Sequence, residues 1–362
     1  MTTYMDSFNK YEPILFKFGC TQHDVNFLFD QWSEPHRVYH DERHLKGLLD
    51  MIETHKARYN SPQYHILVAT AFFHDAIYDP KRNDNEEKSA ELFDAMCCNP
   101  EAVNRWDEVT NPMVQEVVRI ILATKYDPTH KLEGISGSKS LTDAFLKMDL
   151  HGLIHHRIDK LIPTEELIFR EYQFHDYNKY REGRLHVLKV MQSIVEHANP
   201  NNNLHDYIEY LRHKQRSIGV YAGSFFPFHN GHRDILEKAE RVFDKVIVAF
   251  GCNPDKNPDQ SKYQSYIKEF QHKSYRESET FPGFLTDYVQ SKQSEHAVIT
   301  LVKGLGRPGD FDNEKIQLRY MEDMDPTVQA AYFISDREWE YVSSSGIRSL
   351  MKMDGDTSMY LD

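Results

Sequence analysis

The sequence predicts two domains: an all-α N-terminal domain over residues 1–216 and an α/β domain with a parallel sheet over 217–362. Three observations carry that division. Apolar residues recur at helical spacing up to about residue 216, then give way at Ser217 to short β-branched runs ending in glycine. Of the 20 histidines, 16 precede residue 217 and 4 follow it, which separates two kinds of chemistry. A chain of 362 residues is also long for a single core.

The elements follow in order. "ERHLKGLLDMIETHKARY" carries Leu45, Leu48, Leu49 and Ile52 on one helical face. "YHILVATAFFHDAIY" is apolar for longer than an ordinary strand, so it reads as a buried helix. "NPMVQEVVRIILATKY" and "GRLHVLKVMQSIVEH" continue the helical pattern. "NPNNN" at 199–203 is a loop by composition, and "LHDYIEYLRHKQR" is a last helix before the second domain. "SIGVYAG", "DKVIVAFG", "AVITLVKG" and "AAYFISD" then read as strands, with helical stretches such as "GHRDILEKAERVF" between them. Strands alternating with helices imply a parallel sheet covered on both faces.

Composition excludes several classes of function. The net charge of −13 argues against general nucleic-acid or anionic-membrane binding. No apolar run approaches the length of a membrane span, and the N-terminus lacks a signal-peptide core. Cys20, Cys97, Cys98 and Cys252 have neither disulfide nor zinc spacing, which suits free thiols in a cytoplasmic protein. The expected partners are small phosphorylated molecules, with no nucleic acid and no membrane, and homo-oligomers remain open.

Two stretches carry chemistry. "YAGSFFPFHNGH" follows the first strand of the second domain, where ligands of open parallel sheets bind. Gly223 lets backbone approach a phosphate, and the helix starting near Gly231 offers its N–H groups to an anion. His229 and His232 flank that helix start, where an imidazolium would stabilise charge on a phosphoryl group. In the first domain, "FFHDAIYDP" places His74 beside Asp75, and "VYHDERHL" places His40 and His44 on one helix face. "FLKMDLHGL" sets Asp149 in an apolar helix, where a carboxylate needs a partner or a metal. His151, His155 and His156 read as capping or solvated side chains, and Lys125 and Arg170 as surface charges.

The second domain resembles the nucleotidyltransferases with a His-x-Gly-His signature, and among them phosphopantetheine adenylyltransferase. "GVYAGSFFPFHNGHRDIL", "FDKVIVAFGCNPDKNP", "GFLTDYV", "LVKGLGRPGDFDNE" and "YVSSSGIRSL" carry the resemblance. It implies attack by a substrate phosphate on the α-phosphorus of ATP, with Mg²⁺ and release of pyrophosphate. It implies that His232 and His229 stabilise the transition state, and that Ser224, Lys256 and Lys303 bind and neutralise the substrate phosphate. Leu285 would contact pantetheine. Gly223, Phe225, Gly304, Arg307, Glu314, Ser343, Ser344, Ser345 and Arg348 would hold the nucleotide. The sequence departs from that family at His229 in place of Thr, Phe226 in place of Asp, and Lys303 and Gly306 in place of Arg. Lys is a point charge where Arg is a bidentate fork, so the acceptor is less defined than the reaction.

The first domain resembles the HD phosphohydrolases over roughly residues 30–200, in "RVYHDERHL", "ATAFFHDAIYD", "NDNEEKSA", "ILATKYD", "FLKMDLHGL", "REYQF" and "GRLHVLKVM". That resemblance implies His44, His74, Asp75 and Asp149 as ligands of a divalent metal such as Mn²⁺, Fe, Co²⁺, Ni²⁺ or Mg²⁺. "YHDERH" is also similar to a motif of cyclic-nucleotide phosphodiesterases, which implies His40 as a general acid. The combined reading is a bifunctional enzyme of nucleotide-cofactor metabolism. Two alternatives stay open: an NMN-type adenylyltransferase with the same hydrolase, and a nucleotide-sensing protein with one inactive domain.

Overall fold

The computed structural model describes residues 8–97, 111–126, 140–251, 260–307 and 309–361. The chain divides into two compact units, residues 1–171 with 182–212 and residues 172–181 with 213–362.

The first unit is helical. The helix Glu42–Thr54 starts where the Asp41 carboxylate accepts the Arg43 N–H at 2.9 Å, a cap contributing about 1 kcal/mol. It buries Leu45, Leu48, Leu49 and Ile52, as its period predicts. Each contributes at most about 1.5–3 kcal/mol on transfer from water. The helix Ser61–Phe73 opens with a reciprocal pair: the Asn60 side chain accepts the Gln63 N–H, and the Gln63 side chain accepts the Asn60 N–H. From Ile66 to Phe73 every residue is buried, so this helix runs through the core. Phe73 ends it, which leaves His74 and Asp75 at its C-terminal edge. The helix Leu141–Asp149 begins at the Ser140 cap and carries Asp149 as its last residue.

The second unit holds a five-stranded sheet: β1 (Arg216–Gly223), β2 (Lys245–Gly251), β3 (Ser278–Phe281), β4 (Ala297–Leu305) and β5 (Ala330–Ile334). The spatial order is β3-β2-β1-β4-β5 with every pairing parallel. The order reverses at β1, so the crevice for a ligand opens at the carboxyl ends of β1 and β4. Four of these strands are those expected from sequence. β3 was missed because it is a four-residue edge strand of mixed polarity, which has no apolar period to read.

Residues 172–181 contribute to the second unit in a definite way. The Gln173 carbonyl accepts from the buried Lys245 ammonium, and from the Glu277 N–H at 2.9 Å. A fragment of residues 217–362 alone lacks this acceptor, and leaving a buried donor short costs about 1–3 kcal/mol. That fragment is expected to unfold at lower urea than a fragment starting at residue 172 when both are followed by circular dichroism. Equal midpoints would show that the segment adds nothing to the sheet.

Candidate functional sites

In the second unit a cleft of about 250 Å³ lies at the predicted crevice. Tyr221 of β1 and Gly304 and Leu305 of β4 form one side. The helix Asn230–Glu240 presents its N-terminus, bringing His229, Gly231 and His232. Ser343 and Ser344 arrive from the start of the helix Ser344–Met351. Arg307 also lines the cleft, from the loop after β4.

The two histidine rings stack, with centroids 3.6 Å apart. His232 Nδ1 accepts the His229 backbone N–H at 3.3 Å, so the proton of a neutral His232 sits on Nε2. Burial depresses both rings. His229 falls to about 4, with Arg307 adding to the effect, and His232 falls well below the ordinary imidazole range, with His229 adding to it. Burial therefore favours a neutral N–H donor over the imidazolium expected from sequence, because desolvation opposes the charged form.

The turn between β1 and the histidines is packed rather than open. A Cβ on Gly223 would come within 2.8 Å of the Phe225 ring, so the glycine makes room for that side chain. Phe225 itself has φ of +44°, lies 3% exposed, and sets its ring edge-on to His232 at 5.0 Å. Gly223 and Phe225 thus shape the floor under His232. Ser344 Oγ donates to the Pro227 carbonyl at 2.9 Å, and Arg348 donates to the Phe226 carbonyl. These bonds clamp the turn to the serine-rich helix start. The Ser343 hydroxyl accepts the Gly346 N–H at 3.2 Å and lies 3.3 Å from Ser345 Oγ.

Other expected residues are placed differently. Lys303 pairs with Glu314 at 2.9 Å, so these two neutralise one another. Neither lines the cleft, and neither do Ser224, Ser345 or Leu285, the last being the first residue of the helix Leu285–Lys292. Ser224 offers its carbonyl to Tyr263 at 2.8 Å. Lys256 lies outside the described residues. Sequence reasoning did not single out Tyr221, Asp310, Ser335, Trp339 or Val342, which also line the cleft. Tyr221, Asp310 and Val342 lie inside the motif stretches but carry no residue type that the chemistry singles out, and Ser335 and Trp339 lie outside them.

The depressed His229 has a thermodynamic consequence. Its folded pKa, about 4, lies below the ordinary 6.5, so between these values the unfolded chain binds more protons. The stability contributed by the neutral ring is present above pH 6.5 and is lost as pH falls toward 4. Urea unfolding of wild type and His229→Asn at stepped pH is expected to show a shallower decline for the variant across that window. Parallel curves would rule out His229 as a source of the pH dependence.

In the first unit, four side chains from three segments converge. His44 Nε2 lies 3.3 Å from His74 Nε2 and 3.2 Å from Asp149 Oδ1. His74 Nε2 lies 3.2 Å from Asp75 Oδ2 and 3.9 Å from Asp149 Oδ1. His74 Nδ1 donates to the Ala71 carbonyl at 3.0 Å, which fixes the tautomer and leaves Nε2 to face the cluster. Burial pulls the His74 imidazole down, but Asp75 and Asp149 outweigh it and push it up to about 9. Burial would raise Asp75, but His74 holds it well below the usual carboxylate range. The Tyr126 hydroxyl donates to Asp149 Oδ2 at 2.9 Å and thereby orients the other oxygen. Ligand atoms of His44, His74 and Asp75 all lie within 4.8 Å of one another.

The His44 and His74 nitrogens with the Asp75 carboxylate form a nitrogen–oxygen donor set for a divalent cation, and Asp149 lies against the two imidazoles. Beside it, His40 Nδ1 meets Glu171 Oε2 at 2.6 Å, and the His40 ring packs on Tyr78 with centroids 4.5 Å apart. Lys125 bonds Glu87 and the Asn83 carbonyl, consistent with its reading as surface charge. His151, His155 and His156 lie against one another as a separate group. Among the described residues no helix is long and apolar enough to cross a membrane.

The fold and the histidine-bearing helix start define a class. Residues 220–350 match the cytidylyltransferase-like family. The phosphopantetheine adenylyltransferase of Natranaerobius thermophilus is 37% identical over 142 residues, 38% of this chain and 83% of that protein. That of Alkaliphilus metalliredigens is 32% identical over 147 residues, 40% of this chain and 91% of that protein. A solved structure from Vibrio parahaemolyticus, described as a putative nicotinate-nucleotide adenylyltransferase, overlaps 41% of this chain and 87% of its own, at 18% identity and a TM-score of 0.30. Through its C-terminal part, the chain belongs to the phosphopantetheine adenylyltransferase family of cytidylyltransferase-like nucleotidyltransferases.

Proposed function

We propose that the protein is bifunctional, joining adenylyl transfer to phosphopantetheine in its second unit with metal-dependent phosphate-ester hydrolysis in its first. For the transferase, the carrying observation is the pair His229–His232 at the N-terminus of the helix Asn230–Glu240, inside the cleft at the β1–β4 crevice. An oxygen of the acceptor phosphate attacks the α-phosphorus of ATP. The bond to the β-phosphate breaks, and pyrophosphate leaves with the electron pair. His232 Nε2–H donates to the oxygens that gain charge, Arg307 and the helix N-terminus add positive potential, and Ser343 and Ser344 bind the nucleotide. Ser224, Lys303, Lys256 and Leu285 receive the acceptor, with Lys303 leaving Glu314 for the incoming phosphate. Mg²⁺ accompanies the nucleotide.

Pyrophosphate release from ATP with a panel of acceptors tests this. Phosphopantetheine is expected to be the best acceptor, because "GDFDNE" and "GFLTDYV" carry the family resemblance. Preference for nicotinamide mononucleotide would replace the acceptor and keep the reaction.

For the hydrolase, the carrying observation is the convergence of His44, His74, Asp75 and Asp149. These residues would hold one divalent cation, which would polarise a phosphoryl oxygen and activate water. His40, held beside the cluster, would protonate the leaving oxygen.

A further inference from the structure

We infer that Glu171 is a positioning residue for the first unit's chemistry, fixing His40 with its proton on Nδ1 and leaving Nε2 as the atom that exchanges a proton with substrate. This rests on the hydrolase reading of that site. Glu171 is the last residue of the helix Ile158–Glu171 and is 1% exposed. Its Oε1 accepts the backbone N–H groups of Val38, Tyr39 and His40 at 2.7, 2.7 and 2.9 Å. Its Oε2 accepts from His40 Nδ1 at 2.6 Å and from the Tyr78 hydroxyl at 2.7 Å.

Five donors on one buried carboxylate compensate its loss of water. Holding the backbone of residues 38–40 does not explain the charge, because a glutamine oxygen could accept the same three N–H groups. The second oxygen explains it. A carboxylate can only accept, so the His40 proton it faces must sit on Nδ1. Nε2 is then the nitrogen that carries the transferable proton when the ring is protonated. As the bond from phosphorus to the leaving oxygen breaks, its electron pair goes to that oxygen, which takes the Nε2 proton. The attacking water supplies the oxygen that joins phosphorus and releases its proton to solvent, which later returns a proton to His40. In Glu171→Gln the amide can turn its N–H₂ toward Nδ1, and the ring then holds the opposite tautomer.

The test uses the full-length chain. Imidazole ¹⁵N spectra of the metal-free wild type are expected to show His40 protonated on Nδ1, with the proton moved to Nε2 in Glu171→Gln. Hydrolysis with Mn²⁺ is compared on p-nitrophenyl phosphate, whose leaving group needs little protonation, and on glycerol phosphate, whose alkoxide needs it. His40→Ala and Glu171→Gln are each expected to lose roughly 100-fold on glycerol phosphate but only a few-fold on p-nitrophenyl phosphate. The double variant is expected to fall no further than His40→Ala, since the two residues act as one unit. Equal losses on both esters, or a wild-type His40 without a proton on Nδ1, would overturn the inference. A wild type that hydrolyses neither ester would sink the hydrolase reading, while the spectra still decide whether Glu171 sets the His40 tautomer.

Discussion

His232→Ala is expected to release pyrophosphate at least about 100-fold more slowly than the wild type, the scale of losing one preorganised donor to a developing oxyanion. The ring is well prepared for that task. Its Nδ1 is occupied by the His229 N–H, so the Nε2–H is the donor available to substrate. The rings of Phe225, Phe228 and His229 fix its plane, with centroids 5.0, 5.4 and 3.6 Å away. Because the free ring is held neutral, its N–H needs no protonation to act, and transfer is expected to persist well above pH 6.5. Single-turnover pyrophosphate release from ATP and phosphopantetheine reads the effect, and a thermal melt of the variant shows whether the packed turn survives. If a folded variant stays within a few-fold of the wild type, His232 is not the donor.

Asp75→Ala is expected to empty the first unit of metal. Wild type should purify with about one divalent ion per chain, and the variant with a small fraction of that, because an incomplete donor set forfeits much of the binding energy. Phosphohydrolase activity should fall with the metal, while adenylyl transfer is unchanged. His40→Ala should keep the metal and lose rate instead, since an acid works on the leaving group. Elemental analysis of the three proteins separates the roles. Equal metal in wild type and Asp75→Ala would leave the four-residue convergence as a hydrogen-bonded core feature.

Much of this was readable along the chain because it depends on local period and short spacing. The buried helix at 61–73, the amphipathic face of Leu45, Leu48, Leu49 and Ile52, and four of the five strands follow from where apolar residues recur. The two histidines at 229 and 232 sit at a strand-to-helix turn that the pattern located correctly. What escaped was whatever depends on residues distant in sequence. Glu171 bonds the backbone of residues 38–40 across more than 130 positions, and nothing in "REYQF" announces it. Lys303 and Glu314 each read as ligand-binding residues in sequence, and the pairing of one with the other is visible only in the fold.

The sequence by itself determined the element types, the strand-to-helix turn and the residue types able to bind metal, because periodicity and side-chain chemistry are local properties. Tertiary structure alone decided that His44, His74 and Asp75 share one point with Asp149 against both imidazoles, and that residues 172–181 serve the sheet of the second unit. It also decided the protonation of the catalytic candidates. Whether an imidazole is charged depends on how much water and which charges surround it. Packing places the carboxylates around His74, and the same packing buries His229 and His232 away from any counter-charge.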